Sequence, residues 1–314
     1  MQFRLFITVL LLAFAGSLQA QVGGVTATLI VPQESYISGE DVSVTVNIVN
    51  QSGRELAFDG DASKWLSFKV DTREQYFVRE TGMVPVMKPL VIPNGTIGRI
   101  TVNLANLYNL EKSAGYEVKG VIAFKNWDKT VSTPTAPFKV FKGINLKALE
   151  FGYSPTPNEA PSTFKYVLQS SDSMESVSAD SRGEASRTPV RNNKRLYVRI
   201  VDANNGTLSV FPICPLLDVS KPESMLDSKN SLHVFVQTGA TSFTYTSVNP
   251  AGKVTLRQTH EYDESRTIRP KLRLTNTGNV IVYGGNRRLS STDYPPEKQN
   301  ASAISTNLNA SVTP

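Results

Sequence analysis

Cysteine is nearly absent from this chain: Cys214 is the only one among 314 residues. No intramolecular disulfide can form, so a fold outside the cytoplasm would have to rest on its core rather than on cross-links. No cysteine follows the N-terminal apolar run, which argues against lipid attachment there. Histidine is almost as scarce, with two. His260-Glu261-Tyr262-Asp263-Glu264 opens like a zinc-peptidase motif, but Glu264 stands where the second histidine belongs, so no metal site is assigned. His233, in Leu232-His233-Val234-Phe235, reads as a strand residue with a satisfied partner. No Gly-x-Ser-x-Gly elbow, phosphate loop or dinucleotide fingerprint appears, so no catalytic residue and no cofactor is assigned. Charged residues make up only 19% of the chain, while Val, Thr, Ser and Asn are frequent, which suits strands and turns.

What is present begins with an export address. Met1 to Ala20 has Arg4 as a short positive region, an apolar run from Leu5 to Ala15, and small residues Gly16, Ser17 and Ala20 before the expected cleavage point. The run is too short for a membrane-spanning helix, and no later one is longer. The mature protein is expected to start near Gln21, outside the cytoplasm, periplasmic or extracellular. Losing Arg4 lowers the formal charge from +6 to +5.

Residues 21–143 read as one all-β domain. Val42, Val44, Val46 and Ile48 alternate strictly with polar residues, and Asn50-Gln51-Ser52-Gly53 makes a turn. Further strands are expected at Trp65 to Val70, Gln75 to Val78, Ile97 to Leu104, Tyr116 to Phe124 and Thr135 to Phe141. Val84 to Ile92 carries Pro85 and Pro89 and belongs at an edge or is irregular. About eight strands with frequent turns argue for a sandwich. Tyr116, two residues before Val118, has the spacing of the tyrosine corner of immunoglobulin-like domains. Val118 would then face inward beside Val44 or Val46, and Trp65 would pack between the sheets. With Tyr36-Ile37-Ser38-Gly39-Glu40 leading into Val42, these residues resemble the Ig-like modules of exported bacterial proteins, which include a proteinase-inhibitor-like group. The resemblance covers residues 25–143. It implies an Ig-like antiparallel β-sandwich and assigns no functional residue.

Residues 144–289 read as a second antiparallel β domain, a sandwich or a blade-like meander. Residues 170–194 are rich in Ser, Asp, Glu, Arg and Asn and read as a mobile insertion. Strands are expected at Arg195 to Asp202 and Thr207 to Ile213, around the turn Ala203-Asn204-Asn205-Gly206. Others are expected at Leu232 to Gln237, Ser242 to Val248, Lys253 to Glu261, Lys271 to Thr275 and Asn279 to Tyr283. Residues 290–314 read as a disordered tail.

The remaining signal is basic and aromatic. Arg257, Arg266, Arg269, Lys271 and Arg273 fall within one stretch around Tyr262, and Arg287 and Arg288 follow. Arg257, Arg269, Lys271 and Arg273 are the candidate ligand-binding residues, on strands expected to be neighbours. Arginine forks suit carboxylates, sulfates or phosphates. The partners this patch suggests are acidic polysaccharide, an anionic envelope surface or another exported protein, and not nucleic acid. Asp59-Gly60-Asp61 lacks the ligand set for calcium and reads as a solvated turn. Cys214, in Phe211-Pro212-Ile213-Cys214-Pro215, reads as buried and inert. The sequence therefore points to an exported, non-enzymatic binding or envelope-associated protein. The alternatives are a regulator or inhibitor of secreted peptidases and, behind it, a hydrolase with an unrecognised site.

Overall fold

The computed structural model describes residues 23–74, 76–124, 129–154, 160–171, 194–217, 219–265 and 268–296. The expected leader Met1–Ala20, Arg266, residues 172–193 of the expected insertion and residues 297–314 lie outside them. Among the described residues the only helical elements are two short 3-10 turns, Ala62–Lys64 and Leu104–Asn106. No helix among them is long and apolar enough to cross a membrane. The chain divides into two compact units between Phe141 and Lys142.

The first unit contains β1 (Val25–Ile30), β2 (Ser35–Ile37), β3 (Ser43–Asn50), β4 (Leu56–Phe58), β5 (Leu66–Thr72), β6 (Leu90–Ile92), β7 (Ile97–Asn103), β8 (Ala114–Phe124), β9 (Lys129–Ser132) and β10 (Ala136–Phe141). One sheet runs β1-β3-β7 and a second runs β2-β10-β8-β5, with β9 also on β8 and a small β4-β6 pair beside them. All pairs are antiparallel except β2 with β10. The core forms where the inward sets meet. Val44, Val46 and Ile48 of β3 join Leu66, Phe68 and Val70 of β5 and Tyr116, Val118 and Ile122 of β8. Successive members of each set lie two or four residues apart, multiples of the period that puts side chains on one face of a strand.

Trp65 is buried, but it is out of phase with the inward residues of β5. The turn at Ala62–Lys64 places it instead. Its ring stands 4.3 Å from that of Phe58, and Nε1 donates to the Asp59 carbonyl at 3.0 Å. The strand expected at Gln75 to Val78 is not formed among its described residues. Phe77 makes only an isolated bridge to Asp71, and Tyr76 and Phe77 are exposed. The short strands β2 and β4 have no counterpart in the sequence reading, because three residues carry too little alternation to register.

The second unit contains β11 (Ile144–Tyr153), β12 (Ser162–Ser170), β13 (Arg195–Val201), β14 (Thr207–Pro215), β15 (Glu223–Leu226), β16 (Leu232–Gln237), β17 (Ser242–Val248), β18 (Val254–Glu261), β19 (Lys271–Leu274), β20 (Val280–Tyr283) and β21 (Asn286–Arg288). A four-stranded sheet β11-β12-β13-β14 lies against a five-stranded sheet β15-β16-β17-β18-β21. Tyr166, Leu168, Leu196, Val198, Leu232, Val234 and Val236 pack between them. This is a sandwich rather than a single meander. The hairpin β19-β20 forms a third layer. It covers the other face of the five-stranded sheet, where Phe235, Phe243 and Tyr245 meet Leu272 and Val280. Strand β16 is therefore buried on both faces, and it reads as a continuous apolar run interrupted only by His233.

Residues 290–294 of the expected tail are built into the second unit. Asp293 is buried, its carboxylate accepts from the Ser290 N–H at 2.8 Å, and Tyr294 exchanges backbone hydrogen bonds with Arg257. The polar Ser290-Ser291-Thr292-Asp293 run forms a turn that ties the chain to β18, so polarity alone misled the boundary.

Candidate functional site

The outermost layer of the second unit positions the candidate residues. Thr275-Asn276-Thr277-Gly278-Asn279 closes the hairpin, with Thr275 N–H donating to the Asn279 carbonyl at 2.8 Å and Gly278 at φ 75. Glycine adopts that left-handed conformation without a Cβ penalty. Counting back from this turn pairs Leu274 with Val280, Arg273 with Ile281, Leu272 with Val282 and Lys271 with Tyr283. Leu272 and Val280 point into the core, so the alternating Lys271, Arg273, Ile281 and Tyr283 face outward. All four are exposed except for their mutual contacts, and the Arg273 guanidinium lies 5.5 Å from the Tyr283 ring centroid.

Arg269 precedes this hairpin. Its guanidinium lies 5.6 Å from the ring centroid of Phe243, and Nη2 donates to Gln237 Oε1 at 2.8 Å. It borders a shallow cleft of about 400 Å³ with Thr241, Tyr262, Asp263 and Glu264. Arg257 is elsewhere. Its strand β18 pairs with β17 and β21, not with β19. Arg257 stands opposite Thr246, which stands opposite Val234, and Val234 packs between the two sheets. Its side chain thus starts from the face opposite the one that β19-β20 covers. The sequence expectation of one four-residue patch is corrected to Lys271 and Arg273 together, Arg269 near by on the preceding segment, and Arg257 apart. Arg287 and Arg288 are engaged with Asp293 and Glu261, respectively.

Tyr283 is the residue that sequence reasoning left out of the patch. The register counted back from Gly278 places it across from Lys271, so the turn itself carried the signal.

Beneath the hairpin lie both histidines. His233 Nε2 is 3.1 Å from Asp227 Oδ2, and its Nδ1 is 2.6 Å from the Tyr245 hydroxyl. With the proton on Nε2, the ring donates to Asp227 and accepts from Tyr245, so both nitrogens are used. Burial works to raise the Asp227 carboxyl, but the His233 contact and the backbone N–H groups of Ser231 and Lys229 hold it below its ordinary value. Burial, with Asp227 near by, pushes the Tyr245 hydroxyl up to about 12. His260 packs edge-on against Phe235 and Tyr245. Burial, then the Arg287 cation, holds its pKa below the ordinary value, against a smaller opposing pull from Asp293. Its Nε2 has no hydrogen-bond partner among the described residues.

Cys214 is buried in the sandwich, and burial pushes its thiol up to about 12 despite Arg257. It is a thiol at neutral pH and a poor nucleophile. Asp59 and Asp61 are used in a turn. Asp59 accepts from the Asp61 N–H, and Asp61 from the Ser63 hydroxyl and Lys64. Among the described residues no three His, Cys, Asp or Glu side chains come together as a metal would require. Comparison with protein-family models gave no match, and no curated protein matches the chain.

Proposed function

We propose that this is an exported, non-enzymatic binding protein, delivered to the periplasm or the extracellular medium by the Met1–Ala20 leader, and that its ligand is an acidic polysaccharide. The contact surface is the outward face of β19-β20. The observation that carries this reading is the Arg273 guanidinium over the exposed ring of Tyr283, with Lys271 directly across from the same tyrosine. The cations match carboxylate or sulfate groups, and Tyr283 with Ile281 offers apolar area to the C–H face of a sugar ring. An anionic lipid surface is served less well. Polybasic lipid contacts gather roughly four to eight Lys or Arg, whereas this face holds Lys271 and Arg273 with Arg269 near by.

The interior placement of His233, His260 and Cys214 supports a non-enzymatic role, because both histidines and the one cysteine are enclosed in cores. We read the first unit as an Ig-like spacer. The Tyr116 hydroxyl donates to the Lys112 carbonyl at 2.7 Å, four residues upstream, and Val118 is fully buried two residues on. That is the arrangement of a tyrosine corner. The test is retention of the mature protein on immobilised polygalacturonate at low salt, with elution as NaCl rises. Passage through the column unretained overturns the reading.

One observation favours the second reading, a regulator of secreted peptidases. Thr81 and Gly82 N–H groups donate to the Leu107 carbonyl, and Met87 N–H donates to the Gly60 carbonyl at 2.7 Å. Between these ties Val84 is buried, while Met83 and Val86 are 79% and 78% exposed. An exposed segment held at both ends is what a peptidase inhibitor presents. Stoichiometric inhibition of a secreted serine endopeptidase, with the segment left uncut, supports this second reading; rapid cleavage there removes it.

A further inference from the structure

The first unit presents a cleft of about 410 Å³ that the basic face of the second unit does not involve. Its walls carry Tyr76, Phe77, Arg79, Asn109, Glu111 and Lys112. Tyr76 and Phe77 are 63% and 82% exposed, an unusual presentation for two adjacent large aromatics. Their backbone is fixed. Tyr76 N–H donates to Thr72 Oγ1 at 3.0 Å, Thr72 N–H donates to the Tyr76 carbonyl at 3.1 Å, and Phe77 bridges Asp71.

The opposite wall is held as well. Asn109 N–H donates to the Arg79 carbonyl at 3.0 Å, Glu111 N–H donates to Asn109 Oδ1 at 3.2 Å, and the Tyr116 hydroxyl holds the Lys112 carbonyl. The Lys112 ammonium stands 5.4 Å from the Tyr76 ring centroid. Binding here orders little backbone, which lowers the entropic cost of association.

We propose that this cleft binds a neutral saccharide. A pyranose ring has an apolar C–H face, which an exposed aromatic ring can cover, and a rim of hydroxyls that both donate and accept. Arg79 and Lys112 supply donors, Glu111 supplies acceptors, and the Asn109 amide supplies both. A purely apolar peptide would take Glu111 and Arg79 out of water with nothing in exchange. A polyanion would pair with Arg79 and Lys112 but leave the Glu111 carboxylate facing like charge, whereas sugar hydroxyls can pair with all three. The cleft lies within the size range of small-ligand sites, which is about 300–1,000 Å³.

The test is calorimetric titration of the full mature chain with three probes of equal length: a β-1,4-glucose oligomer, a β-1,4-N-acetylglucosamine oligomer and an oligogalacturonate. The expected result is saturable binding of at least one neutral probe, insensitive to NaCl. Phe77→Ala and Tyr76→Ala should each weaken it by about tenfold or more, while Lys271→Glu leaves it unchanged. Because both aromatics are exposed, the melting temperature of each variant should match the parent and so exclude misfolding. Failure of both neutral probes to saturate overturns the proposal, as does neutral binding that survives Phe77→Ala. Binding of the oligogalacturonate alone, erased by salt and by Lys271→Glu, also overturns it while leaving the basic face of the second unit intact as a site.

Discussion

The Tyr245 hydroxyl lies 2.6 Å from Nδ1 of His233, whose other ring nitrogen reaches Asp227. All three residues sit at the layer that β19-β20 covers, so the network sets how firmly the hairpin is seated. Tyr245→Phe keeps the ring and removes the donor, leaving a buried imidazole nitrogen unpaired. The expected loss is about 1–3 kcal/mol in urea unfolding. A loss below about 0.5 kcal/mol would mean that the network does not hold this layer.

His260 gives the same layer a pH dependence. Its folded pKa lies below its ordinary value of 6.5, through burial first and Arg287 second. As pH falls through 6.5, the unfolded chain takes up protons that the folded chain refuses. Stability is therefore full above that value and declines as pH drops toward the folded pKa. The depressed Asp227 carboxyl adds a separate loss only below its ordinary 3.8. Urea midpoints should be lower at about pH 5.5 than at about pH 7.5, and His260→Gln should flatten the difference. An equal drop in the variant would assign the effect to other groups.

Trp65 belongs to the first core, its ring tilted against that of Phe58 and hydrogen-bonded to the Asp59 carbonyl. Trp65→Ala should cost roughly 3–5 kcal/mol in denaturant unfolding. A cost under about 1 kcal/mol would show that the indole is dispensable to that core.

Gly82 lies where the 76–91 segment crosses the second 3-10 turn. A Cβ there would come within 2.3 Å of the Asn106 carbonyl oxygen. Backbone cannot yield as a flexible side chain would, so Gly82→Ala should cost about 1–3 kcal/mol. It should also speed limited proteolysis between residues 76 and 91. Unchanged cleavage rates would mean that the segment is not held through this crossing.

The strands legible in the sequence are those with a strict period and a strong turn. β16 and β17 have the bounds expected from Leu232-to-Gln237 and Ser242-to-Val248, and Val44, Val46 and Ile48 face inward as their alternation demands. Burial of Trp65, Tyr116 and Val118 was also legible, although Trp65 arrives from a 3-10 turn whose Asp59-Gly60-Asp61 lead-in looked only like a solvated loop. The site was less legible. Sequence neighbourhood put Arg257 beside Lys271, but strand order separates them, because β19 and β20 form a sheet of their own. Pairings between distant segments, such as Tyr294 with Arg257, leave no local pattern to read.

The outward face of β19-β20 is the proposed ligand surface, and its most direct test is the dissociation constant for soluble polygalacturonate before and after Lys271→Glu/Arg273→Glu, followed across NaCl concentration. The double reversal should weaken binding by about tenfold or more at low salt and remove most of its salt dependence. The melting temperature should hold within a degree or so, because exposed charges add little to stability. Unchanged affinity in a folded double variant would contradict the account.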